Sequence, residues 1–223
     1  MRVAVIGDSI STQNNGASSA SWPQLLEAKI RDGGVQGWQI DNYSLPGLTW
    51  KTAHTPTAGF LIGNANPPVQ AMMGGGFYNH LLVMLGVNDR WNPNAAAEFQ
   101  QFKNSLALVE MDGTRVTFLK QNFTIAPGVL GMNCSVSLAD SAAIDAVYAQ
   151  ITDESFSIGL GKLYDLGYTY DTLHPTNSGK NWIASAVYMA LMQRYPLTPI
   201  NKNIAWLYDQ LPEIQAQMRE ANT

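Results

Sequence analysis

Short, wholly apolar runs rich in β-branched residues alternate along this chain with longer stretches in which apolar positions recur every three or four residues. Val3 to Ile6 is the first such run, and it suits a strand buried on both faces of a parallel sheet. Trp38 to Tyr43 and Leu81 to Leu85 predict a second and a third strand, and Val116 to Leu119, running on to Ile125, a fourth. Phe156 to Tyr164 predicts a fifth, weakened by Gly159 and Gly161. Helical spacing fills the intervals. Leu25, Leu26 and Ile30 mark a helix over Trp22 to Ile30, and Phe99, Phe102, Leu106 and Val109 mark one over Ala95 to Val109. Ser141 to Ile151 predicts a third. In Trp182 to Met192 the stripe Trp182, Ile183, Ala186, Val187, Ala190 and Leu191 predicts a fourth, with Thr176 or Asn177 placed to cap it.

Parallel neighbours require a crossover element, so this alternation predicts one α/β domain over residues 1–200, a parallel sheet between layers of helices. Thr49 to Gly76 breaks the pattern with Pro56, Pro67, Pro68 and three successive glycines, and reads as a functional loop or a misread element. Beyond it, residues 201–223 place Ile204, Leu207, Leu211, Ile214 and Met218 on a narrow helical seam that Pro212 interrupts. That tail is expected to be a helical extension docked on the domain or a contact between copies in a homo-oligomer.

Composition narrows the function. The chain has 223 residues, 46% of them hydrophobic, which is ample for a packed core. Only 13% are charged, and thirteen Lys plus Arg against seventeen Asp plus Glu give a net charge of -4. No basic stripe exists for nucleic acid. One cysteine, Cys134, excludes an internal disulfide and thiolate-rich metal sites, and His54, His80 and His174 lack metal-ligand spacing. No apolar stretch approaches membrane-spanning length, and Met1 to Gly7 lack the basic head of a signal peptide. The composition fits secreted, virion and cytoplasmic proteins alike.

In parallel α/β sheets ligands bind outside the carboxyl ends of the strands. Four loops leave predicted strands there: Gly7-Asp8-Ser9-Ile10, Asn42-Tyr43-Ser44-Leu45-Pro46-Gly47, Gly86-Val87-Asn88-Asp89 and Asp171-Thr172-Leu173-His174-Pro175. Acyl transfer needs a nucleophile, a base touching it and donors for the oxyanion. Ser9 supplies a hydroxyl, His174 a base, and Asp171, three residues earlier, a carboxylate able to orient the imidazole. The backbone N–H groups of Ser9 and Gly47 and the amide of Asn88 can form an oxyanion pocket. Each piece has a plain alternative: Gly47 after Pro46 is a natural type II turn, Asn88-Asp89 a helix cap, and Asp171 with His174 a surface pair beside a helix start. Their order and shared rim favour the catalytic reading.

Together these four blocks resemble the SGNH, or GDSL-type, hydrolases, over Val3 to about Met192. The resemblance implies a flavodoxin-like three-layer α/β/α sandwich with a central five-stranded parallel sheet. It also implies Ser9 as nucleophile, His174 as base, Asp171 as orienting acid, oxyanion donors at Ser9, Gly47 and Asn88, and hydrolysis of esters, thioesters or acetylated sugars without cofactor or metal. Members of that family continue from the glycine loop into a helix, where this chain turns rich in Pro and Gly. Asp8, Trp50, Trp91 and Tyr170 are the candidate substrate contacts, although aromatic burial is the commoner fate of such residues. Polar rim loops favour short acyl groups, as on acetylated carbohydrate. The alternative is a catalytically silent carbohydrate-binding or adhesion module on the same scaffold. A nucleotide site is excluded by the absence of GxGxxG and by the wrong spacing at Gly159-Leu160-Gly161-Lys162.

Overall fold

The computed structural model describes residues 1–12, 20–56 and 66–194. Five parallel strands form the central sheet: β1 (Arg2–Gly7), β2 (Gln39–Asn42), β3 (His80–Met84), β4 (Arg115–Asn122) and, after a small hairpin of β5 (Thr124–Ala126) and β6 (Val129–Leu130), β7 (Ser155–Gly159). Their order is β2-β1-β3-β4-β7. In β1 the residues Val3 to Ile6 are fully buried, and β3 is buried along its whole length. This is why both read as continuous apolar runs instead of alternating ones.

Around the sheet lie α1 (Trp22–Asp32), α2 (Trp50–His54), α3 (Pro68–Gly74), α4 (Ala95–Met111), α5 (Leu138–Tyr148), α6 (Leu160–Asp165) and α7 (Asn177–Arg194). From β1 the chain steps through α1 to β2 on one side, then through α2 and α3 across to β3 on the other, and onward to β4 and β7. With right-handed crossovers this reversal sends α1 to one face and α2 to α5 to the opposite face. Contacts agree: α1 packs against α7, while α2, α3, α4 and α5 pack on one another in succession. The reversal point lies between β1 and β3, so their carboxyl ends open the crevice where α/β sheets bind ligands. The fold is the flavodoxin-like three-layer sandwich that the motif pattern implied.

Two expectations are corrected. The fourth strand stops at Asn122, whose Oδ1 accepts from the N–H and hydroxyl of Thr124 (3.0 and 2.8 Å), a local turn that ends the ladder and starts the hairpin. The fifth strand ends at Gly159. Leu160, Leu163 and Tyr164 are the buried stripe of α6, and a Cβ on Gly161 would stand 2.4 Å from the Phe123 carbonyl oxygen. Of the two readings of Thr49 to Gly76, the described residues favour the misread element over the loop, because they carry two short helices. Thr49 caps α2 by accepting the Thr52 N–H (3.2 Å), and α3 begins at the Pro67-Pro68 pair. Residues 57–65 and the tail 201–223, with its expected helical seam, lie outside the described residues. Thr176 is the cap of α7, accepting from the Gly179 N–H at 3.3 Å.

Candidate active site

Ser9 opens a 3₁₀ turn, Ser9–Ser11, at the carboxyl end of β1, and Asp8 caps that turn by accepting the Ile10 N–H (2.9 Å). The histidine that meets it comes from 165 positions later: His174 Nε2 stands 2.8 Å from Ser9 Oγ. On its other side His174 Nδ1 stands 2.6 Å from Asp171 Oδ2. Asp171 Oδ1 accepts the backbone N–H groups of His174 (2.7 Å) and Leu173 (3.2 Å). With the carboxylate taking the Nδ1 proton, Nε2 is left as an acceptor for the serine hydroxyl. Burial alone would push the Asp171 carboxyl up, but the His174 N–H, its ring and the Leu173 N–H together hold it below the ordinary carboxylate value.

The loop carrying this pair is held by its own backbone. Thr172 adopts φ +66°, uncommon for a β-branched residue, and its carbonyl accepts the Ser135 N–H at 2.9 Å. Tyr170 stacks on the His174 ring, centroids 5.9 Å apart and planes within 19°.

Gly47 sits at φ +73° in the Leu45-Pro46-Gly47-Leu48 turn, closed by Leu48 N–H to Leu45 O (3.3 Å). The Gly47 turn is the turn expected of a Pro-Gly pair, and it consumes no hydrogen of Gly47. The backbone N–H groups of Ser9 and Gly47 have no acceptor among the described residues. Asn88, in the 3₁₀ turn Val87–Asp89, donates one Nδ2 hydrogen to Leu48 O (3.0 Å) and so keeps the other for a ligand. Gly86 permits this turn: it has φ +139°, and a Cβ there would lie 2.8 Å from the Tyr148 hydroxyl.

Beneath the rim lies a buried polar frame that the sequence did not suggest. Gln121, at the end of β4, donates from Nε2 to Asp8 Oδ2 (2.8 Å) and accepts the Val87 N–H on Oε1 (2.8 Å). One amide thus ties the serine turn to the asparagine turn. The Tyr148 hydroxyl accepts the Gln121 N–H (2.9 Å) and donates to Leu85 O (2.7 Å). Asp89 accepts the Trp50 N–H at the start of α2 (3.2 and 3.3 Å), joining the third block to the second. Burial raises Asp8 to about 6 against the pull of Gln121 and Ile10, and it raises Asp89 to about 7 against the Trp50 N–H. The available signal was the polar end Lys120-Gln121-Asn122 of an otherwise largely apolar strand, in which Gln121 is the buried member.

Two candidate substrate contacts are corrected. Trp50 is 1% exposed, its ring packed on Phe99 and Phe102 (centroids 5.1 and 5.4 Å), because α2 turns it into the core beneath the rim. Asp8 is fully buried, and both its oxygens are taken up by the Ile10 N–H and the Gln121 amide, so it braces the turn from below the rim. Trp91 and Tyr170 remain open, 70% and 46% exposed.

Several solved structures are similar to this chain. TesA aligns with TM-score 0.59 and 22% identity over 86% of this chain and 99% of its own. The psychrotrophic esterase EstA from Pseudoalteromonas gives 0.62 and 14% over 88% and 99%. A two-domain esterase active on acetylated mannans, co-crystallized with mannopentaose, gives 0.61 and 14% over 90% and 52%. The chain therefore spans about half the length of that esterase, and 57% of a Bacillus subtilis protein with which it shares 20% identity. No family model and no curated protein matches the chain. What these likenesses establish is the architecture: the fold is that of the SGNH/GDSL hydrolases.

Proposed function

We propose that the protein is a serine-dependent ester hydrolase acting by two-step acyl transfer, on short-chain acyl esters or acetylated carbohydrate. One observation carries this reading: the continuous line from Ser9 Oγ through His174 to Asp171, with bonds of 2.8 and 2.6 Å. That spacing is already within reach of proton transfer. His174 Nε2 takes the Ser9 proton as Oγ bonds to the ester carbonyl carbon, and Asp171 stabilises the resulting imidazolium. The carbonyl oxygen becomes an oxyanion facing the unengaged N–H groups of Ser9 and Gly47 and the spare Asn88 hydrogen. As the C–O bond breaks, His174 returns the proton to the leaving alcohol. Water then repeats the sequence on the acyl-enzyme, releasing the acid and restoring the Ser9 hydroxyl.

The short-acyl preference draws support from the polar rim loops and from the fold likeness to an esterase that acts on acetylated mannans. The test is an ester panel from two to twelve carbons with acetylated oligosaccharides, beside fluorophosphonate labelling. The expected result is labelling at Ser9, faster acetyl than long-chain hydrolysis, and loss of both labelling and turnover in Ser9→Ala. Appreciable turnover by Ser9→Ala removes Ser9 from the role. Sugar binding by an unlabelled protein returns the silent binding module. Faster long-chain hydrolysis reverses the substrate preference alone.

A further inference from the structure

The described rim carries a cation that no carboxylate contacts. Arg90 follows directly on the turn that presents Asn88, and its guanidinium carbon lies 3.7 Å above the Trp91 ring. Nη1 donates to the Val87 carbonyl (2.5 Å), while Nε is buried with no hydrogen-bond partner. Each ion pair among the described residues is made by another cation: Arg2, Arg31, Lys103, Arg115 or His174. Asp140 lies beyond ion-pair contact with Arg90, and its Oδ2 already receives the Ser137 N–H at 3.1 Å.

A half-buried guanidinium with unused donors is an uncompensated recognition element. With Nη1 on Val87 and Nε sealed from solvent, Nη2 is the donor left to meet a carboxylate oxygen, and partial burial strengthens that charge-assisted contact. Trp91 adds a second feature. One face is backed by the Arg90 guanidinium, while the residue remains 70% exposed. An open aromatic face suits the apolar side of a pyranose ring.

We infer that Arg90 and Trp91 form a subsite for an acidic sugar, so that the alcohol half of the ester carries a carboxylate. The ring lies on the indole, the carboxylate meets the guanidinium, and the acyl group reaches Ser9. This deepens the esterase reading and rests on it for the reaction, but binding can be measured without turnover.

The experiment uses Ser9→Ala protein and three probes that differ at one group: an O-acetylated methyl glucuronoside, its uronamide, and the corresponding 6-O-sulfated glucoside. Binding is followed by tryptophan fluorescence and calorimetry. The expected result is about tenfold tighter binding of the acid than of the amide at low salt, as one charge-assisted contact provides. The preference shrinks in 0.5 M NaCl, falls to about one in Arg90→Gln, and survives in part in Arg90→Lys. Equal binding of acid and amide overturns the subsite, as does a preference that persists in Arg90→Gln or a sulfate favoured over the carboxylate. If the wild-type protein hydrolyses none of the acetyl esters but the acid preference stands, the hydrolase reading fails and the subsite remains. If it hydrolyses them without an acid preference, the subsite fails alone.

Discussion

Replacing Gln121 by Glu keeps the side chain's shape and turns its one donor into a titrating group. In the native protein Nε2 donates to Asp8 Oδ2 and Oε1 accepts the Val87 N–H, each at 2.8 Å. A protonated carboxyl at this position can still donate to Asp8 and accept from Val87, whereas an ionised one sets two carboxylates face to face. At about 4 Å and an effective dielectric near 20, that repulsion is about 4 kcal/mol, or roughly three pKa units. Asp8 already titrates at about 6 because of burial. The coupled pair in Gln121→Glu should therefore hold one proton until about pH 9. The new carboxyl ionises near pH 4.3 when unfolded, so the expected result is a deficit of about 2 kcal/mol at pH 6 that grows by about 4 kcal/mol by pH 9, a further fall in melting temperature of roughly 8 to 16 °C. Gln121→Leu is the control. It leaves a buried N–H and a buried carboxylate oxygen unpaired, and it should lose about 3 to 5 kcal/mol with no comparable recovery on acidification to pH 6. Melting curves of the three proteins at half-unit steps from pH 6 to 9 decide the matter. A Gln121→Glu deficit that is constant with pH refutes the bridge between the two turns.

Two further expectations follow from the same frame. Asn88→Ala removes one oxyanion donor and its anchor on Leu48, so kcat on an acetyl ester should fall roughly 10²-fold with KM nearly unchanged; steady-state kinetics showing an unaltered kcat would reject the assignment. Asp89, raised by burial from 3.8 to about 7, stabilises the fold fully below pH 3.8 and loses that contribution as pH rises through 7, on the order of 4 kcal/mol across the window. Asp89→Asn should flatten this part of the stability profile, measured by urea unfolding between pH 4 and 8, and parallel wild-type and variant profiles would show that Asp89 is not desolvated.

What the sequence disclosed depended on how local the determining physics was. Buried parallel strands impose apolar runs on the chain, so Val3 to Ile6 and Leu81 to Leu85 were readable, and the loops after β1, β2 and β3 followed from the strand ends; the Asp171 to His174 loop does not leave a strand as expected, because α6 stands between it and β7. Phe156 to Tyr164 misled because Leu160, Leu163 and Tyr164 satisfy a helical stripe while Phe156 and Ile158 satisfy a strand, and only the close approach of Gly161 to Phe123 divides them. Trp50 misled for a different reason. Following a rim glycine suggests exposure, yet a capped helix start rotates its side chain inward onto Phe99. The Asp8 to Gln121 bridge joins residues 113 positions apart, and no local pattern encodes such a contact.

Three carboxylates around this site divide by how they are supplied with donors, and that division separates chemistry from support. Asp171 receives two backbone N–H groups and a ring nitrogen at a partly open rim, which keeps it ionised and able to stabilise an imidazolium. Asp8 and Asp89 are sealed in, each with too few donors to offset burial, so their proton affinities rise. A raised carboxyl in a cleft is commonly read as a general acid. Here neither group reaches the rim, because their oxygens hold the Ile10 and Trp50 N–H groups and the Gln121 amide. Their perturbation is the energetic consequence of bracing turns from different strands through buried polar bonds. A backbone framework alone would deliver Ser9, Gly47 and Asn88 to the same edge of the sheet, but not with the sub-ångström fixity that oxyanion stabilisation requires.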